Sequence, residues 1–254
     1  MRLLVGSTLA AAGVLLATPA NAEGWYLGGS VGINAQNDSD NSGTTDAFTT
    51  GNLGDGSTLD VEAGTPYGWS TEFEQGLAVS GEIGRRYGNG LRVGVELAYS
   101  DADVDTHTDV TLGGGPIGTL DAASVAGSPD ALGVTVADVV ADGQGDITST
   151  ALFVNGYYDF GAGGAFQPYV GAGIGFADVN VTYNPSGIGI IDDGETKFAY
   201  QLKAGATYLV SDTWEVFGEY AYRATDDIEV NNDLFPGTLD IVGCPISIFA
   251  EDFP

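Results

Sequence analysis

LAVSGEIGRRYGNGLRVGVELAYS, residues 77–100, decides the fold. Leu77, Val79, Ile83 and Tyr87 alternate with Ala78, Ser80, Glu82 and Arg86. Beyond Gly88-Asn89-Gly90, the residues Leu91, Val93, Val95, Leu97 and Tyr99 alternate with Arg92, Gly94, Glu96, Ala98 and Ser100. A period of two is the signature of strands with two unlike faces. Gly-Asn-Gly supplies the residues that tolerate positive φ in a tight turn. The stretch reads as one β-hairpin, apolar on one side and charged on the other.

The same pattern recurs on both sides of it. Upstream, GWYLGGSVGIN sets Trp25, Leu27, Val31 and Ile33 against Tyr26, Gly28, Ser30 and Asn34. Downstream, residues 149–160 place Leu152, Val154, Tyr158 and Phe160 opposite Phe153, Asn155, Tyr157 and Asp159. Residues 166–179 set Val170, Ile174 and Phe176 against Tyr169, Gly171, Gly173 and Gly175. Residues 197–210 set Phe198, Leu202 and Tyr208 against Gln201, Lys203 and Thr207. The segment from Trp214 sets Val216, Tyr220 and Tyr222 against Glu215, Phe217, Glu219 and Arg223.

Connection lengths choose the architecture. Tight turns follow the second, fourth and sixth of these seven segments. Long polar stretches rich in Asp, Gly, Ser and Thr, roughly 35–75, 101–147 and 180–196, follow the first, third and fifth. Short turns at one rim and long loops at the other mark an outer-membrane barrel. The expected fold is all-β: an eight-stranded antiparallel up-and-down transmembrane β-barrel with an atypical or incomplete last strand. The alternative is a secreted β-sandwich adhesin, which would bury its apolar faces against each other. The closing strand is the weak point. Residues 238–249 contain Pro245, which interrupts pairing, and the chain runs on to Phe253 and Pro254.

Residues 1–22 read as a cleaved signal peptide. Arg2 precedes the apolar run LLVGSTLAAAGVLLA, Pro19 breaks it, and Ala20-Asn21-Ala22 is a small-x-small cleavage site. The run is shorter than the ~20 apolar residues of a spanning helix. No Cys follows the site, which speaks against a lipid anchor. Residues 23–254 are then one barrel domain with long acidic extracellular loops. The single cysteine, Cys244, has no partner for an internal disulfide.

The net charge is −28, yet 40 Gly, 12 Tyr and 11 Phe do not describe a disordered acidic chain. Gly and aromatics suit crowded, curved strands with interfacial girdles. Every basic residue after the leader lies in or beside a strand segment, and the acids crowd the connections. Nothing basic could displace phosphate counterions, so nucleic acid is excluded as a partner.

With the apolar face in lipid, the lumen receives Glu82, Arg86, Arg92, Glu96, Lys203, Glu219 and Arg223. An eight-stranded barrel is just wide enough to be filled by side chains, so these charges are expected to pair and block a wide channel. Arg85 falls on the lipid face near a turn, where it can snorkel to the periplasmic interface. The one histidine, His107, lies in an acidic loop between Asp105 and Asp109 with no nucleophile or base fixed beside it, so neither catalysis nor a cofactor is expected. Asp101, Asp103 and Asp105 match the first ligands of an EF-hand, but Thr106 stands for its Gly and Leu112 for its Glu. Their spacing continues the strand of Tyr99 above the membrane instead, as weak candidates for divalent-cation bridging.

NGYYDFGAGGAFQPYVGAGIGFA (155–177) and KFAYQLKAGATYLVSDTWEVFGEYAYRATDD (197–227) resemble the small outer-membrane porin/surface-antigen barrels of Gram-negative bacteria. These are related to the opacity-type and outer membrane protein A-like barrels. The likeness is good over residues 152–227 and diffuse over 25–99. It implies an eight-stranded barrel with variable surface loops and no catalytic apparatus. It also implies a role in envelope integrity, adhesion, immune exposure or slow solute passage. A structural or adhesive surface role is expected ahead of a small-solute porin. The expected partners are outer-membrane lipid and lipopolysaccharide, the insertion machinery, and host or environmental surface ligands.

Overall fold

The computed structural model describes residues 5–17, 23–161, 164–184, 191–226, 228–231 and 237–243. Its strands are β1 (Val5–Ala17), β2 (Gly24–Gln36), β3 (Ser39–Thr45), β4 (Phe48–Thr49), β5 (Asp60–Val61) and β6 (Pro66–Phe73). There follow β7 (Gln75–Arg86), β8 (Leu91–Leu112) and β9 (Gly115–Pro116). Two short helices, α1 (Ala123–Ala126) and α2 (Val136–Val140), precede β10 (Gly145–Asp159) and β11 (Phe166–Tyr183). The chain continues through β12 (Ile191–Leu209), β13 (Trp214–Thr225), β14 (Ile228–Asn231) and β15 (Gly237–Gly243).

Eight strands close a ring in the order β8-β10-β11-β12-β13-β1-β2-β7 and back to β8, every neighbour antiparallel. Seven of them are the segments with period-two alternation. The faces are inside out relative to a soluble domain: Leu97 is 59% exposed and its neighbour Glu96 only 2%. Trp25, Leu27, Ile83, Val95, Val154, Ile174, Phe176 and Leu202 continue an exposed apolar belt over the ring. In water each would forgo the roughly 1.5–3 kcal/mol that burying such a side chain gains. A bilayer supplies that burial, and closure satisfies every ladder hydrogen bond without an edge.

The eighth strand is not the one expected from the C-terminal segment. Gly237–Gly243 forms β15, which pairs with β14 and β3 above the ring, and the residues after Gly243 lie outside the described ones. Val5–Ala17, read from the sequence as a signal core, lies between β13 and β2 instead. The physical reason is the demand for closure. β2 and β13 each present an open edge, and this apolar run is long enough to pair with both. It matches its neighbours poorly. Its inward face carries Leu9 and Leu15, both buried, where other ring strands carry charges. Leu15 fits only because Gly28 opposite has no side chain, since a Cβ there would stand 2.5 Å from Leu15 Cδ2.

The three long connections are less loop-like than their composition suggests. β8 runs on to Leu112, β11 to Tyr183, and β10 and β12 begin well above the belt. β6 pairs with the upper part of β8, β3 with β6, and β15 with β3, so the wall rises as a second storey. At this height the pattern inverts. Asp101, Asp103 and Asp105 point outward on the face of Tyr99, while Ala102 and Val104 point in. On β11, Asp178 and Asn180 face out and Ala177, Val179, Val181 and Tyr183 face in. Those inward residues join Tyr67, Ile147, Ala151, Phe153 and Ala199 in an apolar core inside the upper barrel.

His107 sits against that core, not in a solvated loop. Its Nδ1 is 2.9 Å from Thr71 Oγ1, which accepts a hydrogen bond from Asn41 Nδ2 at 2.8 Å. Its ring packs edge-on to Tyr183 at 4.9 Å, and Nε2 is buried with no hydrogen-bond partner among the described residues. Burial lowers its pKa from 6.5 to about 4, against the smaller upward pull of Asp142.

Two predictions follow from this arrangement. A neutral buried His107 binds fewer protons folded than unfolded, so stability is full above pH 6.5 and falls as pH drops toward 4, by about 3 kcal/mol. Asp146 acts oppositely, because burial and then Asp103 raise its pKa. Comparison with His107→Gln isolates the histidine: between pH 7 and 4 the denaturation midpoint, read by tryptophan fluorescence, should fall further in the wild type. Equal slopes would remove His107 as the cause. For the leader, intact-mass measurement on protein extracted from outer membranes is expected to give a chain starting at Glu23. A mass retaining residues 1–22 would instead make Val5–Ala17 a permanent member of the ring. In the cleaved form the slot between β2 and β13 needs another strand, and β15 delivers the chain to its upper mouth, with Gly243 paired to Ser39 just above β2.

Candidate functional site: a charged lumen and an acidic crown

The seven lumen charges proposed from the sequence all point inward, and the ring brings them into one network. Lys203 Nζ, from β12, lies 2.9 Å from both Glu96 of β8 and Glu219 of β13. Gln201 Nε2 donates to the same Glu96 carboxylate at 2.7 Å, and Arg223 Nη2 donates to Gln201 Oε1 at 3.3 Å. Glu82 accepts from Tyr26, Tyr157 and Asn155. Asn155 also donates to Glu96 at 2.7 Å, which ties the two halves together. Nearer the short-turn rim, Arg86 forms a two-pronged pair with Glu215 at 2.6 and 2.9 Å. Arg92 Nε lies 2.9 Å from Asp159, and its guanidinium rests between the rings of Tyr157 (4.5 Å) and Tyr169 (4.8 Å).

Asp159, Glu215 and the three tyrosines were not among the expected charges, although they share their parity. Counting every polar side chain on the inward parity finds them. Four cations then meet five carboxylates. Taking such charges out of water is costly, and only mutual pairing with full hydrogen bonding offsets it. Arg223 is the member least provided for. Its Nε and Nη1 have no hydrogen-bond partner among the described residues, its guanidinium stacks over Phe153 at 5.0 Å, and Ser7 of β1 stands opposite it in register.

Packing leaves almost no space. The glycines of β11 admit the larger neighbours: a Cβ on Gly171 would meet the Tyr157 ring at 2.4 Å, and one on Gly173 would collide with Asn155 Oδ1. The void bordered by Glu82, Arg92, Glu96, Tyr157 and Lys203 is about 20 Å³, room for about one water. Arg85 lies on the exposed face beside the turn, 5.5 Å over the Tyr87 ring.

Above the belt the surface changes character. The connections spanning 35–75 and 101–147 contain no Lys or Arg at all. Asp101, Asp103 and Asp105 run in line up the outer face of β8 and do not converge. Asp101 Oδ1 accepts from the Leu77 amide at 2.6 Å. Among the described residues no group of three or more His, Cys, Asp or Glu side chains could hold a metal ion. The crown is therefore an acidic surface on a rigid apolar core.

Comparison with known proteins agrees with this geometry. The sequence profile of the family described as surface antigen matches residues 31–231. The outer membrane protein PagN of Salmonella typhimurium is 32% identical over 99 residues, 37% of this chain and 41% of that protein. A putative adhesin of Rickettsia massiliae is 34% identical over 96 residues, 36% of this chain and 42% of that one. The chain thus matches about two fifths of the length of these curated relatives. The outer membrane protein OprG of Pseudomonas aeruginosa aligns over 96% of this chain and 99% of its own, at 9% identity and a TM-score of 0.38; a likeness that loose carries no argument. The profile covers most of the chain, and the chain belongs to the surface antigen family, a β-barrel of the Gram-negative outer membrane.

Proposed function

We propose that this barrel is a non-enzymatic surface protein with a structural or adhesive role, its lumen closed by side chains and its acidic crown making the outward contact. The observation that supports the reading is the lumen network, in which the void beside Glu82, Arg92 and Lys203 is only about 20 Å³. The alternative reading is a small-solute porin. The crown supports the adhesive side, because rigid, wall-mounted strands can hold a recognition surface clear of the lipid. Its lack of basic residues favours cationic over polyanionic ligands.

Two readouts test this. In planar bilayers the purified barrel is expected to give no resolved conductance steps, whereas steady uniform steps would restore the porin reading. Displayed on a non-adherent bacterium, it should confer binding to cell monolayers, and replacing residues 117–143 by a short turn should abolish that binding. Adhesion unchanged by the replacement would take the crown out of the role.

The outward Asp101, Asp103 and Asp105 stand just above the aromatic level of Tyr99, where lipopolysaccharide phosphates lie. Like charges there repel unless divalent cations intervene. We read them as weak Ca²⁺ or Mg²⁺ bridges to the lipid and not as a chelating site. In lipopolysaccharide-containing bilayers, millimolar Ca²⁺ should slow amide exchange along residues 101–112; exchange rates that ignore Ca²⁺ would sink the idea.

A further inference from the structure

The crown contains a cavity that neither the barrel nor the ion-pair network requires. The connections before β6 and after β8 fold against each other there. The amides of Gly51 and Asn52 donate to Ser124 O and Ser128 O at 3.1 and 2.9 Å, and Asn52 Nδ2 donates to Pro129 O at 3.2 Å. Asp121 fixes the second connection, accepting from the amides of Ala123, Leu132 and Gly133 at 2.8–2.9 Å. Between these walls lies a half-open cavity of about 390 Å³, lined by Phe48, Leu59, Val61, Leu112, Leu120 and Val125. One water needs only about 15 Å³, so water filling this space would face mostly carbon.

Two polar features say what would displace that water. Ser124 lines the cavity and is 3% exposed, and its buried hydroxyl has no hydrogen-bond partner among the described residues. Asp60 and Glu62 flank the buried Val61, are exposed, and border the same cavity. With no Lys or Arg in either connection, the field at the mouth is negative and unopposed. An apolar pocket bordered by acidic residues selects a ligand by shape and by charge sign.

We propose that this cavity binds a small amphiphilic cation, an arylalkylamine whose ring enters between Phe48 and Leu120 while its ammonium stays at Asp60 and Glu62. The site is separate from the lumen and does not depend on whether the crown adheres to a surface. Tryptamine and indole-3-acetate are suitable probes, since they share a ring and differ in charge. Calorimetric titration of the full barrel in lipid nanodiscs should show tryptamine binding at least tenfold tighter than indole-3-acetate. The Asp60→Asn/Glu62→Gln pair keeps the cavity and should erase that preference. Val125→Trp fills the cavity and should abolish binding of both, with its fold checked by unchanged heat-dependent gel mobility. Equal affinity for the two probes, no binding at millimolar concentration, or wild-type binding by the filled variant would each overturn the proposal. Loss of fold in Val125→Trp would leave the charge-sign comparison in wild type and the carboxylate variant to decide it.

Discussion

Everything in this molecule answers to one constraint: in lipid a backbone amide has no water to turn to, so the sheet must meet itself. Closure dictates an outward apolar face and therefore an inward polar one. It also explains the most unexpected element, the leader segment in the ring. Thirteen residues with little strand patterning of their own are held by ladders on both sides, because two facing edges demand a partner. In the full-length chain Leu9 and Leu15 face an otherwise charged interior, a poorer match than the other ring strands make.

The charged interior follows from narrowness. Eight strands leave too little room for bulk water, so each charge that enters must bring its counter-charge. Lys203 between Glu96 and Glu219, Arg86 on Glu215 and Arg92 on Asp159 are solutions to the same problem at successive heights. The glycines of β11 belong to this solution, because Tyr157 and Asn155 occupy the volume their side chains would have taken. A network connected across seven strands also links the wall of the cylinder from side to side.

Seven of the eight ring strands were legible from parity alone, together with their facing and the seven charges that meet inside. The long connections were not. Their Asp, Gly, Ser and Thr content matches the composition of loops, and outward Asp101, Asp103 and Asp105 hide the fact that Ala102 and Val104 between them build a core. His107 misled for the same reason: flanking acids suggested a solvated site, whereas its ring lies against Tyr183, 76 positions away. Partners such as Thr71 and Asn41 come from other connections, and no local pattern announces such meetings. Asp159 and Glu215 share the inward parity, and their pairing with Arg92 and Arg86 joins strands that no local pattern brings together.

The inversion of facing above Tyr99 and Phe176 has a mechanical consequence. Because the outward row changes from apolar to acidic within two residues on β8 and β11, the barrel carries its own waterline. Sinking by a single pleat would drag several carboxylates toward the hydrocarbon together; rising by one would strip lipid from Leu97, Phe176 and their neighbours. The penalty is small for one charge near the interface, about 0–1 kcal/mol, but β8 and β11 incur it together. The protein is thereby denied vertical play, and β8 above Asp101 becomes a mast of fixed length, roughly 35 Å along the strand at about 3.3 Å per residue. Whatever the crown touches, it touches at a height written into the wall.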